Sequence, residues 1–242
     1  MLRSLRGWVL VLSAVAFANP ASAAKPRPRI EPADPSRVIA VGTPRMTSSG
    51  QACTVGAPGP VVFAVNYLLP PNDAYYTMLV CPACPPPVGI TIQDVSIALR
   101  FPVPCAQPIE ISVVGARGDS ACGEPDTLVA LAAPEAFVLN PGAPGDFEFV
   151  LRFATPVTFA DTAFLKVNFT ADGAACGTLA TRPQLLTGGA CTSCVSWNSS
   201  VAGMQELCAV QIPGSPVMYA NVTSCVVPVL RRSWGAVKQH YR

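Results

Sequence analysis

Apolar and polar residues alternate with a period of two along several short stretches of this chain. The clearest are Ile90-Thr91-Ile92, resumed at Val95-Ser96-Ile97-Ala98-Leu99, and Phe147-Glu148-Phe149-Val150-Leu151-Arg152-Phe153. Leu165-Lys166-Val167-Asn168-Phe169 repeats the pattern. Successive side chains of a strand point to opposite faces, so this spacing predicts half-buried β-strands. Further runs of the same kind fall at 61–68, 75–80, 109–114, 127–132, 193–198, 206–210 and 216–223. Turn-forming clusters separate them, at Pro70-Pro71-Asn72-Asp73, Pro85-Pro86-Pro87, 115–118, Pro141-Gly142-Ala143-Pro144-Gly145 and Pro213-Gly214. No segment sustains a helical period. The best helical stretch, 127–136, is interrupted by Pro134 and reads equally as strand and loop. About ten short strands with such punctuation predict an all-β fold, a single jelly-roll-like β-sandwich.

Composition sharpens this picture. Only 12% of the 242 residues are charged, against 26 Pro and 18 Gly, which suits many short strands and turns. The first residues carry Arg3 and Arg6, an apolar run over 8–18, and an Ala21-Ser22-Ala23 cleavage pattern. These are the parts of a secretory signal peptide spanning 1–23. The apolar run stops at Asn19-Pro20, short of the roughly 20 residues a membrane-spanning helix needs. Residues 24–45 hold a proline-rich basic stretch read as an extended linker. The sandwich domain is expected over 46–228 and a basic tail over 229–242. Charge is segregated accordingly: +3 over 25–45, −7 over 46–230 and +4 over 231–242. An acidic body is a poor surface for phosphate, so nucleic acid is not an expected partner.

Export would explain the cysteines. Ten remain after cleavage, namely Cys53, Cys81, Cys84, Cys105, Cys122, Cys176, Cys191, Cys194, Cys208 and Cys225. An even number in an oxidising compartment predicts up to five disulfides, with roughly 900 connectivities open. Cys81-Pro-Ala-Cys84 and Cys191-Thr-Ser-Cys194 have the spacing of zinc or redox pairs. They lie far apart in sequence, and three prolines follow Cys84 where a redox helix would start, so structural bridges are the expected use. No metal and no other cofactor is expected.

Catalytic chemistry finds little support. The single histidine, His240, sits in the charged tail, where a fixed triad is improbable, and no G-x-S-x-G elbow occurs. Asp119, Glu124 and Asp126 form the densest acidic cluster and would suit calcium, although solvated loop acids are the plainer reading. A hydrolase using paired carboxylates ranks third among the functions considered. Carbohydrate binding ranks second, because a sandwich can stack sugars on exposed aromatics. Trp197 and Tyr219 are the candidates, alongside Tyr67, Tyr75 and Tyr76. In the tail, Arg231, Arg232, Trp234, Lys238 and Tyr241 could dock on a protein partner or an anionic surface. Three sequons, at Asn168, Asn198 and Asn221, are expected to be unmodified in a bacterial protein.

From Cys81 onward the chain resembles a group of secreted bacterial cysteine-rich all-β proteins with no known activity. The resemblance rests on the C-x-x-C followed by Gly89-Ile90-Thr91-Ile92, and on Cys191-Thr-Ser-Cys-Val-Ser-Trp-Asn198 with Leu207-Cys208. Pro213-Gly-Ser-Pro-Val-Met-Tyr-Ala220, Cys225 and the ending Ser233-Trp-Gly-Ala-Val-Lys-Gln-His-Tyr-Arg242 extend it. Members of that group commonly have G-F-P-G-N where this chain has Gln211-Ile-Pro-Gly-Ser215, and paired cysteines where it has Cys225-Val226. The resemblance implies secretion and a disulfide-stabilised all-β fold, and supplies no catalytic residue. Together these readings predict an exported, non-enzymatic structural or interaction module, secreted or placed in the periplasm or at the cell surface, with a protein or glycan partner at the envelope.

Overall fold

The structure, a computed structural model, describes residues 29–42, 54–66, 73–80, 89–118, 123–160, 162–171, 174–200 and 202–226. It is a two-sheet sandwich, as the alternating pattern requires. The second sheet runs β13 (Gly203–Glu206), β12 (Ser196–Ser200), β5 (Asp73–Leu79), β10 (Ala163–Phe169), β7 (Gln107–Ala116) and β8 (Pro125–Leu139). The first sheet is built around β6 (Gly89–Phe101). Along one edge β6 pairs with β9 (Gly145–Phe159); along the other it pairs with β11 (Gln184–Gly188) and β15 (Met218–Val226). Beyond β11 lie β4 (Val61–Asn66) and β1 (Arg29–Pro32), and β3 (Thr54–Ala57) pairs with β15. Two short strands complete it: β2 (Val38–Val41), parallel to β9, and β14 (Ser215–Pro216), on β11.

The inward positions of both sheets form one core. Ile97, Leu99 and Phe101 of β6 meet Phe147, Phe149, Leu151 and Phe153 of β9, and face Ile109, Ile111, Leu165, Val167 and Phe169 of the second sheet. Phe101 packs edge-on against Phe147 and Phe149, at 6.2 and 5.7 Å between centroids. Tyr75 stands edge-on to Phe169 at 5.7 Å, whereas its neighbour Tyr76 joins Trp197 and Phe164 on the opposite face. The period of two breaks once within β6. A register shift around Gln93 lets both Ile92 and Val95 point inward, which is the β-bulge behind the gap in the alternation.

The strand expected at 127–132 is present and longer, since β8 continues through Pro134 because an edge strand tolerates a missing donor. Its register against β7 slips repeatedly, so Leu128 stands 91% exposed while Val129 lies over Gly115. Other elements differ. Part of the segment read as a linker is sheet: β1 and β2 pair with the body at 29–32 and 38–41. Fifteen strands appear among the described residues instead of about ten. The additional ones either are very short or, like β11, are buried on both faces and show no alternation.

Two disulfides are described, Cys105–Cys176 and Cys191–Cys208. The second shows that Cys191-Thr-Ser-Cys194 does not close on itself. Cys191 is committed to Cys208, and Cys194 is also disulfide-bonded, so the motif is not a dithiol redox pair. Cys53, Cys81, Cys84, Cys122 and the side chain of Cys225 lie outside the described residues, as does the tail with Arg231, Arg232, Trp234, Lys238 and Tyr241.

Gly188 shows how closely the first sheet is packed. A Cβ there would stand 1.9 Å from the carbonyl oxygen of Pro60, whereas at Gly59 it would meet nothing nearer than 3.9 Å. Gly188→Ala should therefore cost several kcal/mol, at the extreme end for single substitutions, and Gly59→Ala should be close to neutral. Chemical denaturation of both variants checks this, and comparable midpoints would contradict the packing described. Replacing Cys105 and Cys176 together by Ala should cost about 2–4 kcal/mol in the same assay.

Candidate functional site

The two aromatic candidates from the sequence do not form one site. Trp197, only 8% exposed, belongs to the outer face of the second sheet, among Tyr76, Phe164 and Val114. Its indole N–H donates to the Cys194 carbonyl at 3.4 Å. Tyr219 lies on the outer face of the first sheet, across the whole thickness of the sandwich, beside Val61, Ala98 and Val217. Tyr75 and Tyr76 are buried. The described part of the acidic loop is engaged locally: Glu124 with Arg117 at 3.4 Å, and Asp126 with the Leu128 amide at 3.0 Å. Asn198 of the second sequon is fully buried and donates to Asp73 at 2.8 Å.

The outer face around Tyr219 is organised by a strap. Because β1 pairs with β4 and β2 pairs with β9, residues 33–37 must pass over the sheet between them. Ala33 and Val38 pack on Val61, Ala64, Ala98, Leu186 and Val217, and the Ala33 amide donates to the Val62 carbonyl at 2.8 Å. The small side chains of Ala64 and Ala98 let the strap approach. A 3-10 turn (Pro35–Arg37) shapes it, with Asp34 accepting from the Ser36 amide at 2.9 Å and the Ser36 hydroxyl at 2.7 Å. Those two hydrogen bonds hold the Asp34 carboxyl below its ordinary pKa.

Beneath and beside the strap lies a row of ionic and polar pairs. Asp94 of β6 faces Arg152 of β9, and Arg100 of β6 faces Asp146 of β9. Both are two-pronged, at 2.6 and 2.7 Å for Arg152–Asp94 and 2.6 and 2.9 Å for Arg100–Asp146. The hydrogen bond to Asp146 is the main reason the Arg100 guanidinium is raised above its ordinary value, and Asp94 does the same for Arg152. Between these pairs, the Tyr219 hydroxyl donates to Glu148, and Ser96 lies opposite Tyr219 in the β6–β15 ladder. Burial and then Glu148 push the Tyr219 phenol up; burial raises that of Tyr76 as well.

The strap divides this face into two clefts. One of about 630 Å³ is bordered by Arg37, Ile39, Arg100, Pro102, Pro144 and Asp146. The other, of about 190 Å³, has Pro35, Val38, Pro58 and Pro60 as walls and Glu148 and Tyr219 at its polar floor. Reading the sequence identified Tyr219 but missed Arg37, Arg100, Asp146 and Glu148. A signal for the ion pairs was present: each of the two clearest strands carries Asp and Arg six residues apart in the same order, so antiparallel pairing sets every Asp opposite an Arg. Among protein-family models, curated proteins and solved structures, none matches this chain.

The raised phenols fix a sign for alkaline behaviour. A group harder to ionise when folded contributes stability that is complete below its unfolded value, about pH 10, and is lost as pH rises through the folded value. Tyrosinate absorbance should lag behind that of the denatured chain, and the stability of Tyr219→Phe should fall less steeply above pH 10 than that of the wild type. Arg100→Ala should cost about 2–3 kcal/mol, less than a wholly buried pair because the cleft admits water. Arg29→Ala should change stability by under about 0.5 kcal/mol, since the 3.0 Å contact of Arg29 with Glu31 is exposed. Denaturation of both variants tests this contrast.

Proposed function

We propose that this chain is an exported, disulfide-braced, non-enzymatic β-sandwich that serves as a structural or interaction module at the cell surface or outside the cell. The observation that carries this reading is the strapped face, a relief of two clefts underlain by two ladder ion pairs, Arg100–Asp146 and Arg152–Asp94, fixed to one another. A catalytic acid, base or nucleophile has to change partners during its reaction. Arg100, Asp146, Asp94 and Arg152 are instead locked two-pronged to one another, an arrangement suited to holding a surface in shape. Disulfides of this kind persist in oxidising compartments, and no helix among the described residues is long and apolar enough to cross a membrane. The leader-like start and the resemblance to secreted proteins support the same address.

Carbohydrate binding is the second reading. Tyr219 offers part of an aromatic face in the smaller cleft, and the larger one is bordered by planar polar groups that suit sugar hydroxyls. Purified protein should bind cell-envelope preparations saturably, and the double variant Arg37→Glu, Ile39→Glu on the wall of the larger cleft should bind at least tenfold more weakly. Equal binding by the two proteins would remove the strapped face from consideration. A glycan array separates the readings: responses lost in Tyr219→Ala support the carbohydrate one, and a flat array eliminates it.

A further inference from the structure

The smaller cleft beside the strap has a polarity that specifies its ligand. Ser96 lies opposite Tyr219 in the β6–β15 ladder, and Glu148 of β9 lies opposite Ala98, two residues along β6, so that the Tyr219 hydroxyl reaches it diagonally across the strand. A hydroxyl carries one proton and two acceptor sites. Tyr219 donates its own proton to Glu148, so the polar end of the cleft is a phenol oxygen and a carboxylate. What remains for a visitor is acceptor capacity with a negative charge.

Among the described residues, no basic side chain lines this cleft and Glu148 has no basic partner. The cations on the same face are already committed: Arg100 to Asp146 and Arg152 to Asp94. Arg37 of the strap lines the other cleft. The walls are three prolines and valine methyl groups, which present apolar surface and no donor side chain. The volume, about 190 Å³, is that of roughly six water molecules at about 30 Å³ each.

An open cleft with proline and valine walls and a carboxylate and a phenol oxygen at its floor suits a short apolar stem tipped by a group that donates in several directions and carries positive charge. An ammonium has three donors and no acceptor. We infer that this cleft is a binding site for a primary alkylammonium group, either a free amine or the side chain of a lysine. The inference deepens the reading of the strapped face as a recognition surface, and rests on it.

Isothermal titration of the full chain with n-butylammonium chloride tests it, with n-butanol and butyrate as neutral and anionic counterparts of the same length. The ammonium should bind, and the alcohol and the acid should bind at least tenfold more weakly. Glu148→Gln should lose at least tenfold in affinity, whereas Tyr219→Phe should retain it or gain, because the carboxylate is then relieved of its internal donor. Val38→Phe, which fills the cleft from the strap, should abolish binding even if Glu148→Gln fails to fold. A terminally blocked lysine binding as tightly as butylammonium assigns the site to a lysine side chain; binding of the free amine alone assigns it to small amines. No binding of either at millimolar concentration, equal binding of butanol, or an unaffected Glu148→Gln protein would overturn the inference. If envelope binding persists in Glu148→Gln while no amine binds the wild type, this inference fails and the interaction module stands.

Discussion

Strand β6 is buried on both faces and paired along both edges. From Asp94 to Leu99 every residue is at most 5% exposed, including the positions that point away from the other sheet. Antiparallel sheets in a sandwich ordinarily leave one face to water, so this strand imposes a condition on the rest of the molecule. Something has to cover its outward side chains and leave no polar group stranded. The strap with Ala33 and Val38, the prolines between β3 and β4, and the Tyr219 ring together meet that condition. The clefts are the gaps left where these covers fail to meet.

The ionic groups on this face act chiefly on register. A slip of one residue between β6 and β9 would turn the phenylalanines outward. A slip of two would preserve the apolar face but separate Asp94 from Arg152 and Arg100 from Asp146. In both pairs the carboxylate is buried while the guanidinium reaches water, so they add little net stability over apolar packing, yet a wrong pairing would leave a buried carboxylate without its partner. In a chain with so few charges, placing two such pairs across one ladder makes the alignment of the two long strands unambiguous.

The sandwich was legible because the long strands are half-buried and alternate cleanly. Phe147 to Phe153 shows its inward face at every second residue, and that face is the core. The edge strands were not legible for the converse reason. Arg29-Ile-Glu-Pro32 owes its conformation to the free edge of β4 and carries no periodicity of its own. A proline-rich extended stretch has the same backbone preference whether it is solvated or paired, so sequence could not separate linker from strap. The site was hidden by distance in the chain: Glu148 and Tyr219 become neighbours only through their separate pairing with β6. Tyr219 was noticed for its ring, and its role depends on a hydroxyl whose partners no local pattern announces.

The strap comes early in the chain, and much of its dock comes late. Ala33 and Val38 rest partly on Leu186 and Val217, which are ordered only once β11 and β15 have joined the sheet. Contacts of such long sequence separation form slowly, because chain entropy must be lost before they give anything back. Until then the flanks of β4 and β9 are open ladders, able to pair with whatever strand arrives first. A strap that docks last would close the molecule like a seam. Contacts formed that late are absent from the folding transition state, and would then govern how readily the native protein opens more than how fast it forms.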